Sequence, residues 1–229
     1  ADIDWEFPTD DVNGHNFTLL MDAIDEHLEV QGEKDGKDYL LTAAVSAGFD
    51  KIENLEVEKI MESVDWLNLM SYDFHGGWDT KTGHQSALYA NTDDIASGNQ
   101  MQSMYNIDTA VQMYLDAGAE AEKLVLGAPM YGRSWEGDSD VNNGYYQQST
   151  GVAPGSHPDE AGVLYYSDIE EMRTEDNYFW DDEAKASYIK IGDKFITYDS
   201  KQAIEAKAEY IEDLGLGGMM FWELSQDIC

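Results

Sequence analysis

Cysteine is nearly absent, with one residue in 229, Cys229 at the last position. A single thiol excludes a disulfide within the chain and a cysteine-based zinc cluster. Basic residues are also scarce, 13 Lys and Arg against 47 Asp and Glu, for a formal charge of −34. Phosphate-backbone binding needs a basic footprint, so nucleic acid is excluded as a partner. Anionic membrane surfaces are excluded on the same ground. The chain contains no run of 18 apolar residues and no signal-peptide pattern, which says nothing about export. Its five histidines show no metal-ligand spacing. No Gly-rich phosphate loop opens a strand–helix unit.

What is present points to a folded, neutral-ligand protein. At 42% hydrophobic and 12% aromatic residues the chain can bury a substantial core in one or two domains. Its acidity is spread along the sequence rather than gathered in a disordered tail. A Lys-poor, acid-rich composition of this kind resembles proteins of salt-loving organisms, where salt screens self-repulsion. The chain is therefore expected to lose structure as salt is withdrawn. Circular dichroism that stays constant from molar to near-zero salt would refute this.

The first eight residues, Ala1-Asp2-Ile3-Asp4-Trp5-Glu6-Phe7-Pro8, alternate acids with bulky apolar residues. Strict alternation predicts a β-strand with two unlike faces. Asp2, Asp4 and Glu6 would share one face, neighbours roughly 6.5–7 Å apart, while Trp5 and Phe7 would point away and pack under helices. Pro8 would end the strand. A solvated edge strand is the plain alternative. The other strands, however, look buried and parallel, where an acidic row is costly unless shared or neutralised. Clustered carboxylates raise one another's pKa, which suits a proton donor. A divalent-metal site lacks a nearby His or Cys partner.

Downstream the pattern is strand and helix in turn. A helix is predicted over 16–30 with Phe17, Leu20, Ile24 and Leu28 inward and Asn13 or Asn16 as cap. A strand follows at Tyr39–Ser46 and a short helix at Leu55–Val64. The next strand is 65–73, Asp65-Trp66-Leu67-Asn68-Leu69-Met70-Ser71-Tyr72-Asp73, and residues 79–104, including Gly98, read as irregular. A helix at Ile107–Ala117 ends at Gly118, and a strand runs over Lys123–Tyr131. Residues 137–196 are rich in Gly, Tyr, Ser and Asp and read as a small α+β insert. A helix at Ser200–Leu214 and a strand at Gly217–Glu223 complete the chain. Five such strands argue for a parallel sheet with covering helices. In a (β/α)8 barrel the functional residues gather at strand C-terminal ends. A doubly wound open sheet is the alternative.

Several segments, in order, resemble glycoside hydrolase family 18, the chitinases. They are Asp2-x-Asp4-x-Glu6, Met70-Ser71-Tyr72-Asp73-Phe74-His75-Gly76, Gly127 through Trp135, Trp180-Asp181-Asp182-Glu183-Ala184-Lys185, and Gly217 through Glu223. The resemblance covers nearly the whole chain. It implies an α/β fold, a (β/α)8 TIM barrel, here N-terminally truncated to about strands 4–8. Residues 1–136 would hold barrel strands 4 to 7, 137–196 the inserted domain, and 197–229 the last helix and strand 8. The first Asp of the acid motif would precede Ala1. A segment with five of eight strands has open edges, so it is expected alone neither to fold stably nor to turn over chitin.

The resemblance also implies roles, within an endo- or exo-acting retaining mechanism that lacks a carboxylate nucleophile. Glu6 would be the general acid. Asp4 would hold the substrate's acetamido group and Asp2 would tune Asp4. Tyr72 would position the acetamido oxygen. Asp73 and Arg133 would bind sugar hydroxyls, and Trp222 would floor the pocket, lined by Met70 and Tyr131. Trp78, on a loop, would form a substrate subsite. Trp66, Trp135 and Trp180 are either sugar-stacking or structural. No cofactor or metal is implied. The partners would be chitin and chitooligosaccharides, the protein a secreted monomer. Alternatives are a chitin-binding lectin on the same barrel, an endo-β-N-acetylglucosaminidase, and a metal-dependent phosphoesterase using the acidic row. Asp138-x-Asp140-x-Asn142 lacks the Gly and Glu of a calcium loop and is rejected. Asn16-Phe17-Thr18 matches a glycosylation sequon.

Overall fold

A computed structural model describes residues 1–93, 103–137 and 139–228. Cys229, Gly98 and the Asp138 of the rejected calcium loop lie outside the described residues. The elements run β1 (Asp2–Asp4), α1 (Asp11–Asp35), β2 (Thr42–Ser46), α2 (Phe49–Ile52), α3 (Val57–Ser63), β3 (Trp66–Met70), α4 (Ile107–Asp116) and β4 (Leu124–Pro129). They continue with β5 (Tyr131–Trp135), β6 (Val163–Tyr165), α5 (Tyr166–Met172), β7 (Tyr178–Asp181), β8 (Ala186–Ile191), β9 (Lys194–Tyr198), α6 (Lys201–Leu214) and β10 (Gly218–Trp222). They fall into two compact units. One is Ala1–Ser71, Asp108–Gly127 and Tyr210–Met220. The other is Tyr72–Ile107, Ala128–Glu209 and Phe221–Cys229.

The first unit is built on a sheet of order β1-β2-β3-β4-β10, with β1–β2, β2–β3 and β3–β4 parallel. Register sorts its side chains. Ala43, Val45, Leu67, Leu69, Leu124 and Leu126 share one face and are almost fully buried. Asp2, Asp4, Thr42, Ala44, Asn68 and Met70 share the other. Parallel strands covered by crossover helices are usually apolar on both faces, so polar side chains here need a further reason.

Helix α1 shows where periodicity was read too short. It starts at Asp11, and its cap is Asp10, not Asn13 or Asn16. Asp10 accepts the backbone N–H of Asn13 at 2.8 Å and its side-chain amide at 2.8 Å. Gly36, in the left-handed region at φ 62°, closes the helix. Phe17, Thr18 and Met21 are buried, and Trp5 meets Phe17 edge-on at 6.1 Å, but Leu20 is exposed, one step off that stripe. The sequon lies inside this helix with Thr18 buried and bonded to Gly14 O. A glycosylation acceptor belongs on a surface loop, so that reading is dropped. Replacing Asp10 by Ala should cost about 1 kcal/mol, the usual loss for an N-cap. A chemical-denaturation midpoint checks it, and an unchanged midpoint would remove Asp10 as the cap.

The other strand limits also differ. β1 ends at Asp4, so Glu6 stands beyond the strand rather than within it, and Pro8 does not end it. Tyr39 and Leu40 are exposed and precede β2. Leu124–Pro129 and Tyr131–Trp135 are two strands, not one, because Tyr131 turns into a second sheet.

That second sheet, of order β6-β5-β9-β8-β7, is the frame of the second unit; its β5–β6, β5–β9, β8–β9 and β7–β8 pairs are all antiparallel. Its strand β5 lies ahead of residue 137, where the insert was expected to begin. Trp135, Tyr145, Tyr188 and Phe195 pack on one another, and Leu164, Ile169, Ile189, Ile196 and Tyr198 form another cluster. Trp135 is thus structural. The stretch from 84 to 91 is irregular but firmly tied down. His84 Nε2 lies 3.0 Å from Asp181, Asn91 donates to the same carboxylate at 2.9 Å, and Ser86 donates to Asp199 at 2.7 Å. Burial works against the Asp181 charge. The hydrogen bond and charge of His84, with the Ala184 N–H and the Asn91 amide, outweigh it and hold the carboxyl low. Lys207 is wholly buried against Asp199, and burial lowers its pKa against the pull of that carboxylate.

Candidate active site

In the first unit the acid row starts from β1. Asp2 and Asp4 pair in register with Thr42 and Ala44 of β2, and Ala44 with Asn68 of β3. Asp2 accepts from the Thr42 hydroxyl at 2.5 Å and from the Asn68 amide at 3.5 Å, and the Trp66 indole donates to Asn68 at 3.1 Å. Thr42 and Asn68 were missed at the sequence level. The available signal was a lone amide inside the apolar run Trp66–Met70. Asp2, Asp4 and Glu6 are exposed. Met70 is half-buried at the end of β3, on the same sheet face as Asp2 and Asp4. Beyond it, Ser71 binds the Gly127 carbonyl at 2.7 Å and fixes the end of β3 to β4.

In the second unit five of the expected residues come together. Asp73 takes a left-handed conformation at φ 60°, tolerable for Asp. Its carboxylate accepts the Arg133 Nε at 2.7 Å. The guanidinium lies 5.2 Å from the Trp78 ring and 5.4 Å from the Tyr131 ring, both within cation–π reach. Tyr72 meets Tyr131 edge-on at 6.1 Å. Trp78 itself is 60% exposed. Gly76 makes this possible, since a Cβ there would sit 2.5 Å from the indole. The result is an exposed aromatic platform braced by an ion pair.

Ionisation in this cluster is set by its packing. Burial first, then the Asp73 charge, push the Tyr131 phenol well above the usual tyrosine range, so it stays a neutral hydroxyl. Burial opposes the Arg133 charge, but Asp73 more than restores it. Gln85, fully buried, donates to the Tyr131 carbonyl at 2.6 Å and so holds the start of β5. Trp222 is exposed at the end of β10, its carbonyl accepting the Met130 N–H at 2.7 Å. The second unit's set can stack a sugar ring and donate to and accept from its hydroxyls, and the first unit's carboxylates can take part in proton transfer. Among the described residues no three His, Cys, Asp or Glu groups are placed to hold a metal ion.

The profile of the family described as "Glycosyl hydrolases family 18" matches residues 1–227. Chitinase A1 of Niallia circulans is 40% identical over 242 residues, covering 99% of this chain and 34% of that protein. The solved chitinase ChiA74 from Bacillus thuringiensis superposes with a TM-score of 0.91 at 35% identity, covering 99% of this chain and 39% of that one. A family 18 chitinase from Cycas revoluta, solved in complex with (GlcNAc)3, gives 0.84 at 28% identity, covering 99% and 63%. The chain spans about a third to a half of the length of the curated relatives it matches.

Proposed function

The chain belongs to the glycosyl hydrolases of family 18, and from that membership we propose that it carries the catalytic residues of a chitinase. The reaction is hydrolysis of β-1,4 links between N-acetylglucosamine units, with retention at the anomeric carbon. The observation that carries this reading is the placement of the acids. Asp2 and Asp4 lie on the sheet face opposite the buried one, with Glu6 just past the strand end.

Glu6 gives its proton to the glycosidic oxygen as the bond to the anomeric carbon breaks. The acetamido carbonyl oxygen of the same sugar attacks that carbon and forms a cyclic oxazolinium. Asp4 accepts from the acetamido N–H and balances the positive charge, while Asp2, itself anchored by Thr42 and Asn68, keeps Asp4 in place. The Tyr72 hydroxyl orients the carbonyl oxygen for attack. Water then opens the ring and returns a proton to Glu6, so acid and base are one residue. Asp73 and Arg133 hold sugar hydroxyls, Met70 and Tyr131 line the site, Trp222 floors it, and Trp78 stacks a further sugar. The presence of Glu6, with Asp4 and Tyr72, favours hydrolysis over a binding-only lectin. A polymer substrate too large to cross a membrane makes the protein a secreted one.

The test is hydrolysis of a chitin hexamer by the full-length protein in molar salt, with products followed by NMR. The β-anomer should appear first. A fully deacetylated hexamer should be left uncut, because it lacks the internal nucleophile. Equal cleavage of both, or the α-anomer first, would overturn the mechanism.

A further inference from the structure

The second unit holds a cavity of about 300 Å³ at the end of its edge strand β7. That is the lower end of the range for small-ligand sites. One wall is the turn at Val141–Gly144, where consecutive Asn142 and Asn143 both adopt φ 52°. The Asn142 amide donates to Asp93 at 2.8 Å and ties this turn to the 91–93 segment. The opposite wall is tied in the same way, with the backbone N–H and hydroxyl of Thr92 both bonded to one oxygen of Glu183, at 2.7 and 2.6 Å. Trp180 and Tyr188 line the cavity between them.

These braces leave a defined set of groups for a ligand. Among the described residues, Asp93 and Glu183 each bond the protein through one carboxylate oxygen, and the second oxygen of each can accept. The exposed amide of Asn143 can both donate and accept. Trp180, half-buried, adds aromatic surface. A chain of charge −34 repels phosphates and other anions. A bound metal ion is disfavoured, because no three of the acidic groups described are close enough together to ligate one. Neutral polyols remain: rings with several hydroxyls to donate and an apolar face to lay on an aromatic wall.

We propose that this cavity is a second saccharide site, which takes a sugar unit of the polymer that the hydrolase reading assigns as substrate. It rests on that reading for the identity of its ligand, not for its chemistry. The site would hold polymer outside the catalytic residues, and would act on insoluble substrate rather than on short oligomers.

The experiment uses the full-length protein carrying Glu6→Gln, titrated calorimetrically with chitotetraose. Two binding events are expected. Adding Trp180→Ala, or Asn143→Gly, should weaken one of them at least about tenfold and leave the other alone. Asn143→Gly keeps the left-handed turn and removes only the amide, so it guards against misfolding in the tryptophan variant. With Glu6 intact, both variants should cleave chitotetraose at the parent rate and insoluble chitin more slowly. A single binding event in the Glu6→Gln protein, or two events that neither substitution touches, overturns the second site. If the parent hydrolyses nothing and the Glu6→Gln protein binds nothing, the hydrolase reading has failed along with it.

Discussion

Glu6→Gln is expected to lower kcat on chitin hexamer by about 10²–10⁴-fold, the usual worth of a positioned general acid. The change keeps the size of the side chain and its hydrogen-bonding reach but removes the proton. Glu6 is exposed and outside β1, so no core packing depends on it and the variant should melt with the parent. Oligosaccharide affinity should be retained, because ring stacking and hydroxyl contacts are untouched. The loss therefore falls on kcat, not on KM, the sign of an interaction made only in the transition state. A second readout is the pH profile. The limb set by loss of the acid's proton should vanish in the variant along with the rate. A protein that keeps most of its turnover after this change does not use Glu6 as its acid.

The parts of the fold that were legible were those where one local rule acts alone. The helices expected over Leu55–Val64 and Ile107–Ala117 are present as α3 and α4, with Val57, Ile60 and Met61 buried on the first and Ile107, Val111 and Tyr114 on the second. Limits were missed where a tertiary contact overrode the pattern. Tyr39 and Leu40 look like strand residues, but β2 starts only where Thr42 can pair with Asp2. Tyr131 continues the apolar run of β4, yet its backbone pairs with Tyr165 in another sheet. Pairing between distant segments leaves no periodic trace. The same holds for the candidate site. Asp2, Asp4 and Glu6 could be found from alternation, and Tyr72, Asp73, Tyr131, Arg133 and Trp222 from family-like motifs. Thr42, Asn68 and Gln85 act on residues distant in sequence, through side-chain hydrogen bonds.

Tyr72→Phe is the other change with a large expected effect, a fall in kcat of about 10²–10³-fold, the range for removing one preorganised donor. The ring stays, so its edge-on contact with Tyr131 stays too, and the braced cluster of Asp73, Arg133 and Trp78 has no reason to move. What is lost is the one hydroxyl that the proposed mechanism assigns to orienting the acetamido oxygen toward the anomeric carbon. Misorientation by a fraction of an ångström is costly when the nucleophile belongs to the substrate itself, because the enzyme cannot move its own group to compensate. Tyr131→Phe is the internal control. Its phenol, kept neutral by burial and by the Asp73 charge, is assigned to sugar binding, so its removal should raise KM and change kcat little. No titration of this phenol should appear in the pH profile up to about 10, since its folded pKa lies above the usual tyrosine value. If Tyr72→Phe changed only KM, the hydroxyl would be a binding group and the positioning role would pass to another residue.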